Sequence, residues 1–227
     1  ENMLFHDSWF ARVPASAAWL LLAVLLAATA LPALRAAHRY RSAAAVAVVL
    51  LAAAWSLNAA PDNGQLAGMS YHLLGMNLAA LMVGAPAAFW LGALLLFPSL
   101  LISDAGWQAY PFNALALLLP PLAVNLSFRV LVDRLPANIF VFIFLNGFIG
   151  SAAAMLLTGA VLTGVLDWTG AFSDGVMWGS AFPVFFLLSW AEAFISGAAT
   201  AIFVALKPHW INTFDDGRYL KSTNKIW

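Results

Sequence analysis

The sequence has no cysteine and very little charge. Without thiols there is no disulfide, no thiolate metal site and no cysteine nucleophile. Ten Lys+Arg balance ten Asp+Glu, so the formal net charge is zero and only 9% of the 227 residues are charged. An ordinary soluble domain carries ~25%. So few charged side chains cannot coat a soluble particle of this size. A disordered chain and a basic nucleic-acid footprint are excluded on the same ground. Long polar stretches are missing too. The longest, Pro208–Trp227, is too short for an independent core. There is no Gly-x-Ser-x-Gly, no His-Glu-x-x-His and no nucleotide loop. The reading is therefore not an enzyme, and the chain cannot hydrolyse ATP by itself.

What is abundant is hydrocarbon. Hydrophobic residues make up 63% of the chain, and the mean hydropathy is +0.88. A helix needs ~20 apolar residues to cross the bilayer. Candidate crossings are 17–37, 42–60, 66–83, 86–102, 112–132, 138–165 and 180–206. The third and fourth come from one apolar stretch, Leu66 to Ile102, divided at Gly84-Ala85-Pro86. Glycine ends a helix well and proline suits the first turn of the next. With this division all the basic residues except Arg12 fall on one side, including Arg35, Arg39, Arg41, Arg129, Arg134 and Lys207. The positive-inside rule then gives seven transmembrane helices, N-terminus out and C-terminus in. The expected fold is an all-α, polytopic integral membrane protein. Residues 1–227 form a single transmembrane domain, with residues 1–14 as an extracytoplasmic arm and 208–227 as a cytoplasmic tail. The first apolar segment starts too late for a signal peptide. Met3 is the expected initiator.

Polar residues collect at the outer ends of the crossings, where their cost implies a task. They are His6 and Asp7 on the arm, Asp62, Asn63, His72 and Asn77 around the third crossing, and Asp104 and Asn113 at the start of the fifth. Met69-x-x-His72-x-x-x-Met76 puts an imidazole and two thioethers on one helical face. Met3-x-x-His6 repeats the pairing on the arm. Spacing alone leaves two readings open: a transition-metal site, or a hydrogen-bonded histidine between two core methionines. Glu192 lies deep in the last crossing with no basic residue at similar depth. It must be neutral or bonded to groups such as Asn125, Asn146 or Ser127, as a structural tie or as a relay or latch in transport. Pro120-Pro121 is expected to break the fifth crossing.

Three segments resemble one family in order along the chain. Gly68-Met69-Ser70-Tyr71-His72-Leu73-Leu74-Gly75, with Gly84-Ala85-Pro86 after it, is similar to a Gly-Thr-Ser-Ala-His-Leu-Leu-Gly…Leu-Gly-Pro pattern. Ser103-Asp104-Ala105-Gly106 with Asn113 is similar to Gly-Asp-Gly-Gly…Asn. Trp190-Ala191-Glu192-Ala193-Phe194-Ile195-Ser196-Gly197 is similar to Gly-Glu-Ala-Leu-Ile-Thr-Gly. These patterns belong to the CbiM/NikM family, the substrate-specific membrane components of energy-coupling-factor-type cobalt and nickel importers. The resemblance implies metal-ion uptake, with capture at the extracytoplasmic face. His72 and His6 would be ligands, with Met69, Met76 and Met3 lining or completing the site. Asp7, Asn77, Asp104, Asn113 and Glu192 would support it or line the path. The ion (cobalt, nickel or copper) would be substrate, with no permanently bound cofactor. A membrane coupling protein and cytoplasmic ATPase subunits would be partners, in a bacterial-type inner membrane. The family places its arm histidine second, whereas here the arm reads Met3-Leu4-Phe5-His6. The two methionines stand where the family has Thr and Gly. The alternatives are a copper(I)-selective relative, acting alone or supplying metalloenzyme assembly, and a non-transporting scaffold or assembly factor.

Overall fold

Runs of Ala, Leu, Val and Phe fold as helices because hydrocarbon offers backbone N–H and C=O groups no other partner. The computed structural model describes residues 4–10, 14–57, 71–102, 106–170 and 175–219, without the side chains of 99–102, and has no strand among them. The helices are α1 (Ala15–Arg39), α2 (Arg41–Ser56), α3 (Met76–Val83) and α4 (Ala85–Ile102). A 3-10 turn, Trp107–Ala109, runs into α5 (Tyr110–Asp133). Then come α6 (Ile139–Thr169) and α7 (Met177–Leu206). A short tail follows, with a 3-10 turn at Pro208–Trp210 and a last helical turn at Asp216–Tyr219. α1, α5 with its leading turn, α6 and α7 are long and apolar enough to cross a membrane; α2 and α4 are shorter apolar helices.

The division at Gly84 is observed: α3 ends at Val83, Gly84 takes φ 87°, and α4 begins at Ala85. The third crossing itself differs from expectation. Residues 71–75 are irregular, α3 has only eight residues, and 58–70 lie outside the described residues. Eight residues rise ~12 Å, so α3 is a half-helix. Every one of its residues is buried, against α2, α4, α5, α6 and α7. The cause is local. Gly75 sits at φ 65°, in the left-handed region, so no helix can run through it from residue 72 into α3.

α5 also corrects an expectation. It runs unbroken through Pro120 and Pro121, both buried. Two missing N–H groups cost hydrogen bonds to the turn before them, but the helix packs against α1, α3, α4 and α6 and stays continuous. α6 contains a π-helical stretch at Phe142–Ile149, and α7 opens with another at Met177–Ala181. Where α6 meets α7, a Cβ on Gly147 would lie 3.3 Å from the Gly197 Cα, a close approach only small residues permit.

The ends of the described chain lie at opposite ends of α5. The arm is bonded to Asn113, near its start. In the tail, Arg218 donates to the Asp133 carboxylate at 2.8 Å and to the backbone carbonyls of Val132, Asp133 and Leu135, at its finish. Aromatic clusters mark both levels, as amphipathic rings do at membrane interfaces. Trp19, Phe97, Trp107 and Tyr110 gather at one. Phe142, Phe214 and Tyr219 gather at the other.

Candidate metal centre

His72 is buried in the irregular segment ahead of α3 and off any helical face. The expected Met69–His72–Met76 stripe therefore does not form as one face, and Met69 lies outside the described residues. The His72 Nδ1 stands 2.8 Å from the Leu73 carbonyl oxygen. A carbonyl only accepts, so Nδ1 carries the hydrogen, and Nε2 is the nitrogen with a lone pair to offer. That is the orientation of a metal-ligating histidine, whose other ring nitrogen is tied to an acceptor. The ring lies 6.0 Å from that of Trp55 on α2, and Trp55 Nε1 donates to the Leu74 carbonyl at 2.9 Å. On the other flank Tyr71 meets Phe185 of α7 edge to face at 5.3 Å.

Glu192 fixes the same segment from α7. Its two carboxylate oxygens accept the backbone N–H groups of Leu74 at 2.9 Å and Gly75 at 2.8 Å, and the Ser196 hydroxyl donates to it at 3.3 Å. The expected partners Asn125, Asn146 and Ser127 do not serve it. Asn125 donates to Asn77, Asn146 accepts from Asn77 through its backbone carbonyl, and Ser127 donates to the Ala123 carbonyl of its own helix. The physical reason is supply. The half-helix leaves buried amides at its start, and a nearby carboxylate is the strongest acceptor for them. The far end of α3 is treated alike. The N–H groups of Asn212 and Thr213 donate to the Met82 and Leu81 carbonyls at 3.1 and 3.2 Å. α3 is thus capped at one end by a helix and at the other by the tail.

The arm is folded onto the bundle. Leu4, Phe5 and Phe10 are buried. Asn113 holds the Phe5 peptide from both sides: the Phe5 N–H donates to Oδ1 at 2.6 Å, and Nδ2 donates to the Phe5 carbonyl at 3.0 Å. Phe10 stacks on Phe112 at 4.2 Å. Asp7 packs against Gly106, where a Cβ would collide with the carboxylate and φ is 84°. His6 stays partly exposed, with Nδ1 2.8 Å from Ser8 Oγ and 3.2 Å from Asp7 Oδ1. Its ring thus keeps company within the arm, and that of His72 lies beside Trp55 of α2. Among the described residues no group of three or more His, Asp or Glu is arranged to hold a metal ion. Met3 and Asp104 lie outside the described residues.

Met76 opens α3, fully buried, with its sulfur toward α4: a Cβ on Gly92 would stand 3.2 Å from it. Asn77 joins Asn125, Asn146 and Ser151 in a buried network that shares no bond with Glu192. Sequence reasoning missed Trp55, Ser196, Asn212 and Thr213. Ser196 alone had a signal, four residues after Glu192 on one helix face.

A family model, CbiM, described as cobalt uptake substrate-specific transmembrane region, matches residues 10–210. No curated protein matches. A crystal structure of a truncated transition metal transporter has a similar fold, with a TM-score of 0.54 and 20% identity, covering 83% of this chain and 94% of that one.

Proposed function

The chain belongs to the CbiM family, the cobalt uptake substrate-specific transmembrane region, and from that premise we propose that it captures a divalent transition-metal ion at its extracytoplasmic face with His72 as the essential imidazole. The observation that carries this reading is the state of that ring. It is buried, its Nδ1 is spent on the Leu73 carbonyl, and its segment is pinned by Glu192. His6 of the arm would be the second imidazole, with Met3 and Met69 as further candidate donors. Seven crossings with the N-terminus out accord with arm and tail lying at opposite ends of α5. A membrane coupling protein and ATPase subunits would energise uptake, as metal-uptake components of this kind generally work with such partners, in a bacterial-type inner membrane.

Cobalt or nickel fits better than copper(I). The copper reading needs two thioethers beside the imidazole, and the Met76 sulfur is turned to the α4 backbone. The test is equilibrium competition of Co(II), Ni(II) and Cu(I) against a chromophoric chelator, using the purified protein and His72→Ala. Co(II) or Ni(II) should bind at one high-affinity site that the substitution abolishes. Equal binding by both proteins would reject the site, and a protein that stays empty on loading would be the scaffold.

A further inference from the structure

Four polar side chains meet inside the bundle where the described structure has no carboxylate to serve. Asn77 of α3, Asn125 of α5, and Asn146 and Ser151 of α6 are each at least 98% buried. Three of the side chains are joined by hydrogen bonds, and Asn146 takes part through its backbone carbonyl. Asn125 Nδ2 donates to Asn77 Oδ1 at 2.8 Å; Asn77 Nδ2 donates to the Asn146 carbonyl and to Ser151 Oγ, both at 2.8 Å. Gly150 makes room, since a Cβ there would lie 3.4 Å from Asn77 Nδ2. Two acceptors are left over: Asn125 Oδ1 and Asn146 Oδ1 have no hydrogen-bond partner and almost no solvent contact. The first is fixed by the network, for turning the Asn125 amide over would set oxygen against Asn77 Oδ1. A buried amide oxygen without a donor is costly, and two in one cluster form an electronegative surplus. A cation or a water can cancel it.

We propose that the Asn77–Asn125–Asn146–Ser151 cluster is a second, weak cation site inside the bundle, binding a partly dehydrated divalent ion through neutral amide oxygens. It begins at the second residue of α3, five positions beyond His72. An ion leaving an imidazole for the interior needs stations that hold it briefly. Neutral oxygens suit this, because a transit site must bind weakly enough to release. The role as a station rests on the uptake reading above; the capacity to bind a cation does not. The widened π-helical stretch Phe142–Ile149 contains Asn146, and such bulges often occur at working sites.

The probe is radioactive Co(II) alone, in equilibrium dialysis with the full chain in detergent. The wild type should show a tight and a weak class of site. His72→Ala should remove only the tight one. Asn125→Leu with Asn146→Leu should weaken only the other, by at least about tenfold. Asn146→Asp leaves the network untouched, because the network uses that residue's backbone carbonyl. It should tighten the weak class by at least about tenfold, as a unit charge next to a cation does in a poorly screened interior. The inference is overturned if His72→Ala leaves no binding and Asn146→Asp adds none, for the cluster then holds only water. If the weak class is present and responds while no class depends on His72, the inference stands and the proposed function fails.

Discussion

Replacing Glu192 by Gln should loosen the metal site without touching a ligand. The carboxylate accepts two buried backbone N–H groups, at 2.9 and 2.8 Å, and a hydroxyl at 3.3 Å. The Gln amide oxygen still serves one N–H, but its NH2 faces the other, donor against donor. One hydrogen bond is lost and a buried amide is left facing a donor, ~1–3 kcal/mol. Polar contacts inside membrane bundles run lower, ~0.6–1.7 kcal/mol. About 1.5–2 kcal/mol is therefore a fair expectation. If that free energy holds residues 71–75 in their binding geometry, its loss lowers Co(II) affinity by roughly 10- to 30-fold. Glu192→Ala orphans both amides and should cost more. Ser196→Ala, which removes only the long bond, should change affinity by less than about threefold. The assay is chelator competition, with circular dichroism to show that helix content is kept. Affinity within about twofold of wild type for Glu192→Gln would refute the clamp, since the lost bond would then hold nothing the metal needs.

Further consequences concern the arm and the tail. Asn113→Leu should free the arm, removing both bonds to the Phe5 peptide; proteolysis within residues 4–10 should accelerate at least about tenfold, given ~1 kcal/mol per bond, and unchanged cleavage would contradict the anchoring. Gly106→Ala should lower Tm more than Gly170→Ala. Both have positive φ, but a Cβ at 106 strikes Asp7 while one at 170 meets nothing within 4 Å. The shared backbone strain is ~1–2 kcal/mol, and Asp7→Ala should recover part of the excess only at 106. Arg218→Ala loses four bonds to the end of α5 and should cost ~1–3 kcal/mol, read as a fall in Tm. An unaltered Tm would mean that the tail is not docked.

The features legible in the sequence were those set by apolar length and by glycine and proline. The division at Gly84 follows because Val83 ends one helix and Pro86 enters the first turn of the next. Glu192 stood out as a carboxylate with no cation at its depth, which required donors from elsewhere. Its donors could not be read, because backbone amides carry no sequence label. They become available only when Gly75 turns left-handed and starts α3 late. Periodicity placed His72 on a helix for the same reason: Met69, His72 and Met76 fit a period that one glycine interrupts. Pro120-Pro121 misled in the opposite direction, since local propensity says break where the packed bundle keeps the axis. Asn113 stands out as a polar residue at the start of a crossing, but its partner, the Phe5 peptide, carries no sequence label. The asparagine network joins residues far apart in sequence, which no spacing rule connects.

Uptake through this site requires the His72 Nε2 to bind the ion. X-ray absorption at the cobalt edge of the loaded protein tests it at the atom concerned. The spectrum should show imidazole scattering with a nitrogen shell at ~2.0–2.1 Å, as histidine gives with metals of this size. His72→Ala should lose an imidazole contribution together with tight binding. The same imidazole signal from wild type and His72→Ala would contradict the claim.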